Sequence, residues 1–431
     1  MKYTVKPAKV LKGIIRDVPA DKSIAHRSAM FAALGDDISQ ITNYPQSADP
    51  QSTLSCLRGL GIEIKQNEGK VTIKGAGRNF WKPNSTSLDC GNSGTTMRLI
   101  SGIIAGAGLQ VSLTGDHSLH SRPMKRIINP LEEMGAKIES KDGFAPLTFL
   151  SNEKKLKAIQ YVLPMASAQV KSCVLLAGLF ADGVTEVVES VPSRDHTERM
   201  LGLEKEYKSD GSVIIRSSRE HPIPSLNMVI PGDISGASFW LVAGSIVPNA
   251  EIKLLNVGIN PTRNAIIHIL KRMGANISII QKEEASQLEP VADIVVKSAE
   301  LVATSLEPKE IPNCIDEIPI LSVAMSFAKG QSSIRNAEEL RTKETDRINA
   351  IASILSRAGV EHEMYEDGLS INGNPGFIPK PAEYESFHDH RIAMSAAVMA
   401  LKASESSVIL DADAAAVSYP DFWKHLEQLH G

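Results

Sequence analysis

The chain has 431 residues, of which 42% are hydrophobic and 22% charged, and a formal net charge of −4. This length exceeds one typical core, so two or three domains are expected, and the charge excludes a global attraction to nucleic acid or to an anionic membrane. The four cysteines lie far apart without zinc spacing, which favours a reducing compartment and no structural disulfide. A site for a polyanion must therefore be a local concentration of cations.

The N-terminal segment predicts strands followed by a helix start. Its first fifteen residues, MKYTVKPAKVLKGII, intersperse lysines and lack the apolar core of a signal peptide, so we expect a cytoplasmic protein. VPADKSIAHR (18–27) then indicates a strand, a turn and a helix that Asp21 or Ser23 can cap. Lys22 in the first turn opposes the helix dipole, so either a bound anion or simple capping accounts for this segment.

Several further segments place polar residues immediately before or within the first turn of a helix. DCGNSGTTMR (89–98) is a glycine-rich turn that runs into an apolar helix, and it matches neither a P-loop nor a dinucleotide fingerprint. A capped, buried helix explains this stretch as well as a ligand loop does. The same arrangement recurs around Arg122 in TGDHSLHSRPMKR, in PMASAQVKS (164–172) and in SRDHTER (193–199).

The C-terminal half adds carboxylates to the cations. NCIDEIP (313–319) contains Asp316 and Glu317, and FHDHRIAM (387–394) carries Arg391. In RTKETDR (341–347), Lys343 and Arg347 are four residues apart and would share one face of a helix, although charge runs usually face water. The two histidines of HDH lack partners at ligand spacing, so we expect no metal site.

One phrase recurs along the chain: the end of an amphipathic helix, a glycine, an alternating strand, a turn and another strand. Because a glycine suits the position after a helix, where φ is positive, each phrase predicts a small α/β unit. A sixth helix (419–429) lacks its hairpin, which the N-terminal strands could supply. We therefore expect two domains of three units each, with helices buried inside and strands outside, and chain crossings near Pro19 and 231–235. The phrase turns on five glycines: Gly61, Gly135, Gly202, Gly274 and Gly359.

These segments together resemble the EPSP synthase (3-phosphoshikimate 1-carboxyvinyltransferase) family over essentially the whole chain. The most specific matches are GNSGTTMR and RTKETDR, supported by DKSIAHR, SRPM, SAQVKS, DEIP and DHRIAM. The resemblance implies a two-domain inside-out α/β barrel with three βαβαββ repeats per domain and buried helices. It places residues 1–18 and 233–431 in a lower domain and 19–232 in an upper domain, with the active site in the cleft between them.

The implied reaction moves the enolpyruvyl group of phosphoenolpyruvate to the 5-hydroxyl of shikimate 3-phosphate and releases phosphate, without metal or organic cofactor. No nucleic acid or membrane partner is implied, and a monomer is expected. By resemblance, shikimate 3-phosphate meets Lys22, Ser23, Arg27, Ser167, Ala168, Gln169, Ser193, Arg194, Asp316 and Lys343. Phosphoenolpyruvate meets Lys22, Gly94, Arg122, Gln169, Arg347 and Arg391.

The chemistry needs a base for the hydroxyl and a proton donor for the enol methylene. Asp316 is the expected base, and Glu344 and Lys22 are candidates for proton transfer to and from the methyl carbon. The chain departs from the family pattern at Val417, where a lysine is common, and at Leu99 and Ala168. We expect intermediate-to-weak inhibition by glyphosate from these features. The alternative, UDP-N-acetylglucosamine enolpyruvyl transferase, is disfavoured because the loop GDHSLHSR contains no cysteine.

Overall fold

The computed structural model describes residues 1–79, 81–151, 155–282 and 288–430. The chain divides into two compact units: Met1–Pro19 with Pro231–Gly431, and Ala20–Ile230. Both units combine helices with short sheets, so the α/β class predicted from the sequence is confirmed.

The chain begins with two strands of the first unit, β1 (Tyr3–Val5) and β2 (Lys12–Ile15). The helices of the Ala20–Ile230 unit are α1 (Lys22–Leu34), α2 (Ala48–Gly59), α3 (Gly94–Ala107), α4 (His117–His120), α5 (Lys125–Glu133), α6 (Ala168–Gly178) and α7 (His196–Leu201). Its strands are β3 (Ile38–Thr42), β4 (Glu63–Asn67), β5 (Lys70–Lys74), β6 (Ser87–Asp89), β7 (Ser112–Thr114), β8 (Ile138–Lys141), β9 (Phe144–Phe149), β10 (Gln160–Val162), β11 (Val184–Glu189), β12 (Lys205–Tyr207), β13 (Val213–Ser218) and β14 (Asn227–Val229).

The remainder of the first unit follows after Pro231. Its helices are α8 (Ile234–Ile246), α9 (Ala265–Arg272), α10 (Ile311–Cys314), α11 (Ile318–Ser326), α12 (Arg347–Ala358), α13 (His390–Ala400) and α14 (Phe422–His430), with 3-10 turns at Glu338–Thr342 and Ala412–Val417. Its strands are β15 (Glu251–Gly258), β16 (Asn276–Gln281), β17 (Val291–Lys297), β18 (Leu301–Val302), β19 (Ala328–Ile334), β20 (Glu361–Tyr365), β21 (Gly368–Gly373), β22 (Glu383–Tyr384) and β23 (Ser407–Ile409).

The described strands of the Ala20–Ile230 unit form three sheets with one plan. Their orders are β14-β3-β5-β4, β6-β7-β9-β8 and β10-β11-β13-β12. In each sheet the first pair is parallel and the two following pairs are antiparallel. A repeated phrase in the sequence thus gives a repeated sheet.

The first unit uses the same plan in β2-β15-β17-β16 and β18-β19-β21-β20. Its third sheet is β22-β23-β1, in which the N-terminal strand supplies the antiparallel partner of β23. The last helix, α14, packs against the N-terminal strands, since the Tyr3 ring stacks on Trp423 at 4.1 Å and Gln428 donates to the carbonyl of Ile14 at 3.1 Å. The N-terminal segment therefore completes the final repeat of its unit.

Several helices are buried on nearly every side, as their apolar sequences predict. In α8 every residue except Gly236 is buried, and α3 and α6 are buried along most of their lengths. A side chain at Gly102 of α3 would lie 2.2 Å from the carbonyl oxygen of Cys173 in α6, so only glycine permits this close packing of the two helices. Within the described residues, we find no helix long and apolar enough to cross a bilayer.

The glycines of the recurring phrase adopt the backbone conformation expected of them. Their φ angles are +90° at Gly61, +104° at Gly135, +66° at Gly202, +94° at Gly274 and +87° at Gly359. An L-residue rarely adopts these angles, so a glycine here ends the helix and turns the chain into the following strand. The predicted helix ends are confirmed.

Candidate active site

The first helix of the Ala20–Ile230 unit begins with a side-chain cap and a cation. Asp21 caps α1 by accepting a hydrogen bond from the amide of Ile24 at 2.9 Å. Lys22 follows, and its ammonium lies 3.4 Å from Asp49 Oδ2 on α2. Lys22 and Ser23 are both half-buried, so their polar atoms stay accessible at a helix end that favours an anion.

Arg27, one turn further along α1, binds the starts of two other helices. Its Nε donates to Thr197 Oγ1 of α7 at 2.8 Å, and its Nη2 donates to Ser172 Oγ of α6 at 3.0 Å. The Nη1 group returns to the carbonyl of Ser23 at 3.0 Å. The guanidinium is therefore buried between the N-terminal parts of α1, α6 and α7.

A second buried network joins the starts of α1 and α3. His26 Nδ1 lies 2.6 Å from Thr53 Oγ1, which lies 2.7 Å from Thr96 Oγ1. Thr96 in turn donates to Ser93 Oγ, the N-cap of α3. Burial lowers the pKa of His26 to about 3, so the ring is neutral and serves as a structural hydrogen-bonding group. The N-terminal parts of α1 and α3 are thus joined through Thr53 of α2.

The glycine-rich turn brings together three residues that the sequence had placed in separate motifs. A side chain added at Gly94 would lie 3.0 Å from Arg98 Nη1 and 3.4 Å from Arg122 Nη1. Arg98 donates to Gln169 Oε1 at 2.6 Å, and the Gln169 amide donates to Thr95 Oγ1 at 3.0 Å. Gly94 and Gln169 therefore lie beside the guanidinium group of Arg98, and Gly94 also lies beside that of Arg122.

Arg122 is held in place by the loop that it faces. Its Nη2 donates to Asn92 Oδ1 at 2.6 Å and to Ser118 Oγ at 3.1 Å, and its Nη1 donates to the carbonyl of Asn92 at 3.2 Å. The contacts restrict the rotamers of a long side chain before any ligand arrives. A preordered guanidinium of this kind can receive a phosphate or carboxylate with paired donors.

The α6 helix and the loop before α7 supply the remaining predicted residues of this unit. Ser167 caps α6, accepting a hydrogen bond from the amide of Val170 at 3.4 Å, and Ala168 is the first helical residue. Ser193 is buried, whereas Arg194 is half-buried in the loop before α7. Since Arg27 joins α6 and α7 to α1, these residues belong to the same convergence of helix starts.

In the other unit, Asp316 is surrounded by three guanidinium groups. Its Oδ1 lies 3.5 Å from Arg347 Nη1, and its Oδ2 lies 3.8 Å from Arg263 Nη1 and 3.9 Å from Arg391 Nη2. Arg391 also donates to the backbone carbonyl of Asp316 at 2.9 Å. The carboxylate and the two predicted arginines therefore form one cluster, which the sequence separated by 75 residues.

Asp389 joins the two predicted arginines of this cluster. It is fully buried and accepts from Arg347 Nε at 2.8 Å through Oδ2. Its Oδ1 caps α13 by accepting the amide of Arg391 at 2.8 Å. Burial alone would lower the pKa of Arg347, but the carboxylates of Glu344 and Asp389 outweigh it and raise that pKa. The guanidinium is consequently charged although it is buried.

Glu344 is ionised in this structure. Burial alone would raise its pKa, but the adjacent Arg347, whose Nη2 donates to Glu344 Oε2 at 2.6 Å, helps to lower the pKa to about 2. A carboxylate in this state accepts protons more readily than it supplies them. Lys343 points to a different neighbour, since its ammonium contacts Glu339 at 2.6 Å.

The helical interpretation of RTKETDR is wrong. A 3-10 turn, Glu338–Thr342, ends before Lys343, and α12 begins at Arg347. Asp346 caps α12, and it also accepts from Arg341 Nη1 at 2.8 Å. Because Lys343 lies in an extended conformation before α12, Lys343 and Arg347 do not share one helix face. Glu344 and Arg347 nevertheless meet.

The two histidines of FHDHRIAM differ in their exposure to solvent. His388 is exposed with a positive φ of 58°, whereas His390 is buried as the first residue of α13. In the described part of the chain, no three His, Cys, Asp or Glu side chains are placed to hold a metal ion.

Sequence reasoning missed three charged residues that shape the two clusters. Arg98 stands within a quoted motif, but nothing in the sequence distinguished it from a solvated helix residue. Asp389 precedes a helix, and its cap position was a usable signal. Arg263 donates to Asp233 Oδ1 at 3.0 Å and to Ser235 Oγ at 2.8 Å, contacts across about thirty residues that no local pattern reveals.

Predicted site residues of each unit thus lie in a cluster of charged groups. In Ala20–Ile230 the cluster contains five cations at or beside helix starts: Lys22, Arg27, Arg98, Arg122 and Arg194. In the other unit three arginines surround Asp316, and one of them, Arg347, also pairs with Glu344, which follows Lys343 in the sequence. The first cluster suits phosphate and carboxylate groups, and the second adds carboxylates that can move protons.

Comparison with known proteins places this chain among enolpyruvyl transferases. The family model described as EPSP synthase (3-phosphoshikimate 1-carboxyvinyltransferase) matches residues 5–426. A curated 3-phosphoshikimate 1-carboxyvinyltransferase from Salinibacter ruber is 49% identical, with 100% of this chain and 99% of the relative covered. One from a Synechococcus strain is 46% identical, with 99% and 96% covered.

Solved structures give the same result. An EPSP synthase from Acinetobacter baumannii superposes with a TM-score of 0.88 at 39% identity, with 99% of this chain and 98% of that chain covered. An enolpyruvyl transferase from Streptomyces tendae superposes with a TM-score of 0.75 at 15% identity, covering 99% of this chain and 96% of that chain. The second likeness shows the fold alone.

Proposed function

The chain belongs to the EPSP synthase family, and we propose that it transfers the enolpyruvyl group of phosphoenolpyruvate to the 5-hydroxyl of shikimate 3-phosphate, releasing phosphate. The observation that carries this proposal is the full-length similarity to 3-phosphoshikimate 1-carboxyvinyltransferases, at 49% identity to one relative and 42% to another. The reaction belongs to the shikimate pathway, which supplies chorismate and the aromatic amino acids.

The cluster in Ala20–Ile230 is the proposed site for phosphate groups. Helix N-termini carry partial positive charge, and the contacts of Arg27 and His26 join the N-terminal parts of four helices, α1, α3, α6 and α7. For shikimate 3-phosphate we propose Lys22, Ser23, Arg27, Ser167, Ala168, Gln169, Ser193 and Arg194, with Asp316 and Lys343 from the other unit. For phosphoenolpyruvate we propose Lys22, Gly94, Arg122, Gln169, Arg347 and Arg391.

The proposed reaction proceeds by addition and elimination. Asp316 accepts the proton of the 5-hydroxyl as the 5-oxygen of shikimate 3-phosphate bonds to carbon 2 of phosphoenolpyruvate. The methylene carbon takes up a proton in the same step. The methyl group of that intermediate then loses a proton, the carbon–carbon double bond re-forms, and the phosphate leaves with the electrons of its carbon–oxygen bond. In this arrangement the Asp316 carboxylate lies beside the guanidinium groups of Arg263, Arg347 and Arg391.

The methylene proton comes from Glu344 or Lys22 in this proposal. Glu344 is ionised while it pairs with Arg347, so it is a poor donor in the structure as it stands. A substrate carboxylate bound to Arg347 would place a second negative charge beside Glu344 and raise its pKa. We therefore expect substrate binding to convert Glu344 into a better acid. If Glu344 supplies the methylene proton, a Glu344→Gln variant should incorporate less solvent deuterium at that carbon than the wild type does.

Two mutually repelling phosphorylated substrates require cations from both clusters. A well-placed donor in a water-excluded site typically contributes roughly 2.7–4 kcal/mol to transition-state stabilisation. We propose that both clusters act on one substrate pair and that the two domains, 1–18 plus 233–431 and 19–232, are each an inside-out barrel of three βαβαββ repeats. A monomer without metal or organic cofactor and a cytoplasmic location remain predictions.

A phosphate-release assay with alternative acceptors tests this function. We expect release that requires both phosphoenolpyruvate and shikimate 3-phosphate, and none with UDP-N-acetylglucosamine. The sister reaction is disfavoured because residues 115–122 contain no thiol and the four cysteines, Cys56, Cys90, Cys173 and Cys314, are buried. Phosphate release from phosphoenolpyruvate with UDP-N-acetylglucosamine as acceptor, and none with shikimate 3-phosphate, would overturn the proposal.

A further inference from the structure

Lys171 is a fully buried ammonium that the proposed reaction does not use. It lies on α6, one turn after the Ser167 cap, and its Nζ contacts Glu189 Oε2 and Glu198 Oε1, both at 2.7 Å. The two carboxylates are themselves only 2% exposed. Burial alone would lower the pKa of Lys171, but the two carboxylates outweigh it and raise that pKa, so the ammonium is charged. Burying three charged groups costs free energy unless their geometry and hydrogen bonds offset the loss of hydration.

The contacts of this triad converge on a single residue of the loop before α7. Glu189 Oε1 accepts the amide of Ser193 at 3.2 Å and also accepts its hydroxyl proton. Lys171 Nζ lies 3.4 Å from the Ser193 carbonyl oxygen. The amide, hydroxyl and carbonyl of Ser193 are therefore all engaged by two buried charged groups.

These contacts change the part that Ser193 plays. Because its hydroxyl proton is donated to Glu189, the hydroxyl is not available to donate to a phosphate while this contact exists. The neighbouring Arg194 is half-buried and carries the charge that a phosphate needs. Ser193 thus anchors the backbone from which Arg194 extends.

We propose that Lys171 and Glu189 are positioning residues, which hold the Ser193–Arg194 loop against the start of α6 so that both together receive the phosphate of shikimate 3-phosphate. The inference rests on the proposed function, since it names the part of the site that recognises one substrate. In that proposal Ser193 and Arg194 contact shikimate 3-phosphate and not phosphoenolpyruvate, so we expect the pair to act mainly on the binding of shikimate 3-phosphate.

The triad contains its own matched control. Glu189 and Glu198 make equally short contacts with Lys171, but only Glu189 bonds to Ser193 in the contacts described above. Glu189→Gln and Glu198→Gln therefore make the same chemical change in the same buried triad. A purely structural role predicts similar effects of the two substitutions on both thermal stability and substrate binding.

The experiment measures the Kd of shikimate 3-phosphate by calorimetry, KM for both substrates and Tm, for the wild type and the two variants. We expect Glu189→Gln to raise the Kd and KM of shikimate 3-phosphate about tenfold while KM for phosphoenolpyruvate stays within about twofold. Glu198→Gln should change the Kd and KM of shikimate 3-phosphate less than about threefold, with a Tm loss similar to that of Glu189→Gln. Equal effects of the two variants on shikimate 3-phosphate, or equal loss for both substrates, would overturn the inference.

A third variant protects the test against misfolding, and the wild type separates the two proposals. Lys171→Met should behave like Glu189→Gln in the ratio of the two KM values, whereas Leu175→Ala, a buried change on the same helix, should lower Tm without altering that ratio. If the ratio in Lys171→Met matches that in Leu175→Ala, the pair only stabilises the fold and the inference fails. If the wild type neither binds shikimate 3-phosphate nor releases phosphate, the proposed function itself fails.

Discussion

Replacing Asp389 by asparagine tests whether the negative charge of Asp389 holds Arg347 in position to bind the carboxylate of phosphoenolpyruvate. The side chain is fully buried, accepts from Arg347 Nε at 2.8 Å and caps α13 through Arg391. Removing one partner of a buried ion pair typically costs about 3–5 kcal/mol. In the variant Arg347 keeps its contacts with Glu344 at 2.6 Å and Asp316 at 3.5 Å, and asparagine can still cap the helix. We therefore expect the free energy of unfolding to fall by about 3 kcal/mol, the lower end of that range.

Asp346→Asn is the matched control for this change. Asp346 also caps a helix and also accepts from an arginine, but its side chain is 31% exposed. Exposed ion pairs contribute about 0.2–1 kcal/mol, so the control should lose less than about 1 kcal/mol. Urea unfolding of both variants gives the comparison, with KM for phosphoenolpyruvate measured alongside.

We expect Asp389→Asn to raise KM for phosphoenolpyruvate at least tenfold, because Arg347, one of the two arginines that should clamp its carboxylate, loses a buried charged partner. The reasoning is refuted if Asp389→Asn and Asp346→Asn lose the same free energy of unfolding. It is also refuted if the stability falls but KM for phosphoenolpyruvate stays at the wild-type value.

Three further predictions follow from single contacts. Arg122→Lys should reduce kcat/KM for phosphoenolpyruvate at least tenfold, because lysine cannot keep the paired contacts with Asn92; steady-state kinetics check this, and an unchanged value contradicts it. Since the folded pKa of Glu344 lies below the usual 4.5, its contribution to stability is present above pH 4.5 and is lost as the pH falls toward 2. The free energies of unfolding of the wild type and Glu344→Gln, measured against pH, should therefore converge over that range. A difference between them that stays constant with pH contradicts the argument. Gly102→Ala should cost at least about 1–3 kcal/mol in urea unfolding because the methyl group meets the carbonyl of Cys173, and unchanged stability would refute that packing.

The sequence predicted the parts of the fold that depend on local chemistry. Caps such as Asp21 and Ser93 are found where the polar residue before an apolar helix indicated them. The glycines after the helices take positive φ angles, as the recurring phrase required. Both features need only the residue and its immediate neighbours, so a single sequence contains the necessary information.

The sequence could not reveal contacts between distant charged groups. Asp389 and Arg347 are 42 residues apart, and Lys171 is 18 residues from Glu189. Burial of a charge depends on what the rest of the unit packs around it, and composition alone indicates that Lys and Glu face water. The four-residue spacing of Lys343 and Arg347 likewise fits one helix face, but Asp346 caps a new helix that begins only at Arg347.

The most direct test of the central claim is identification of the product. Purified protein is incubated with phosphoenolpyruvate and shikimate 3-phosphate, and proton and phosphorus NMR follow the mixture. We predict vinyl protons of a new enol ether at the 5-oxygen, with one inorganic phosphate released for each ether formed and neither seen when one substrate is omitted. Phosphate release without the ether, or no reaction at all with both substrates present, would contradict the account.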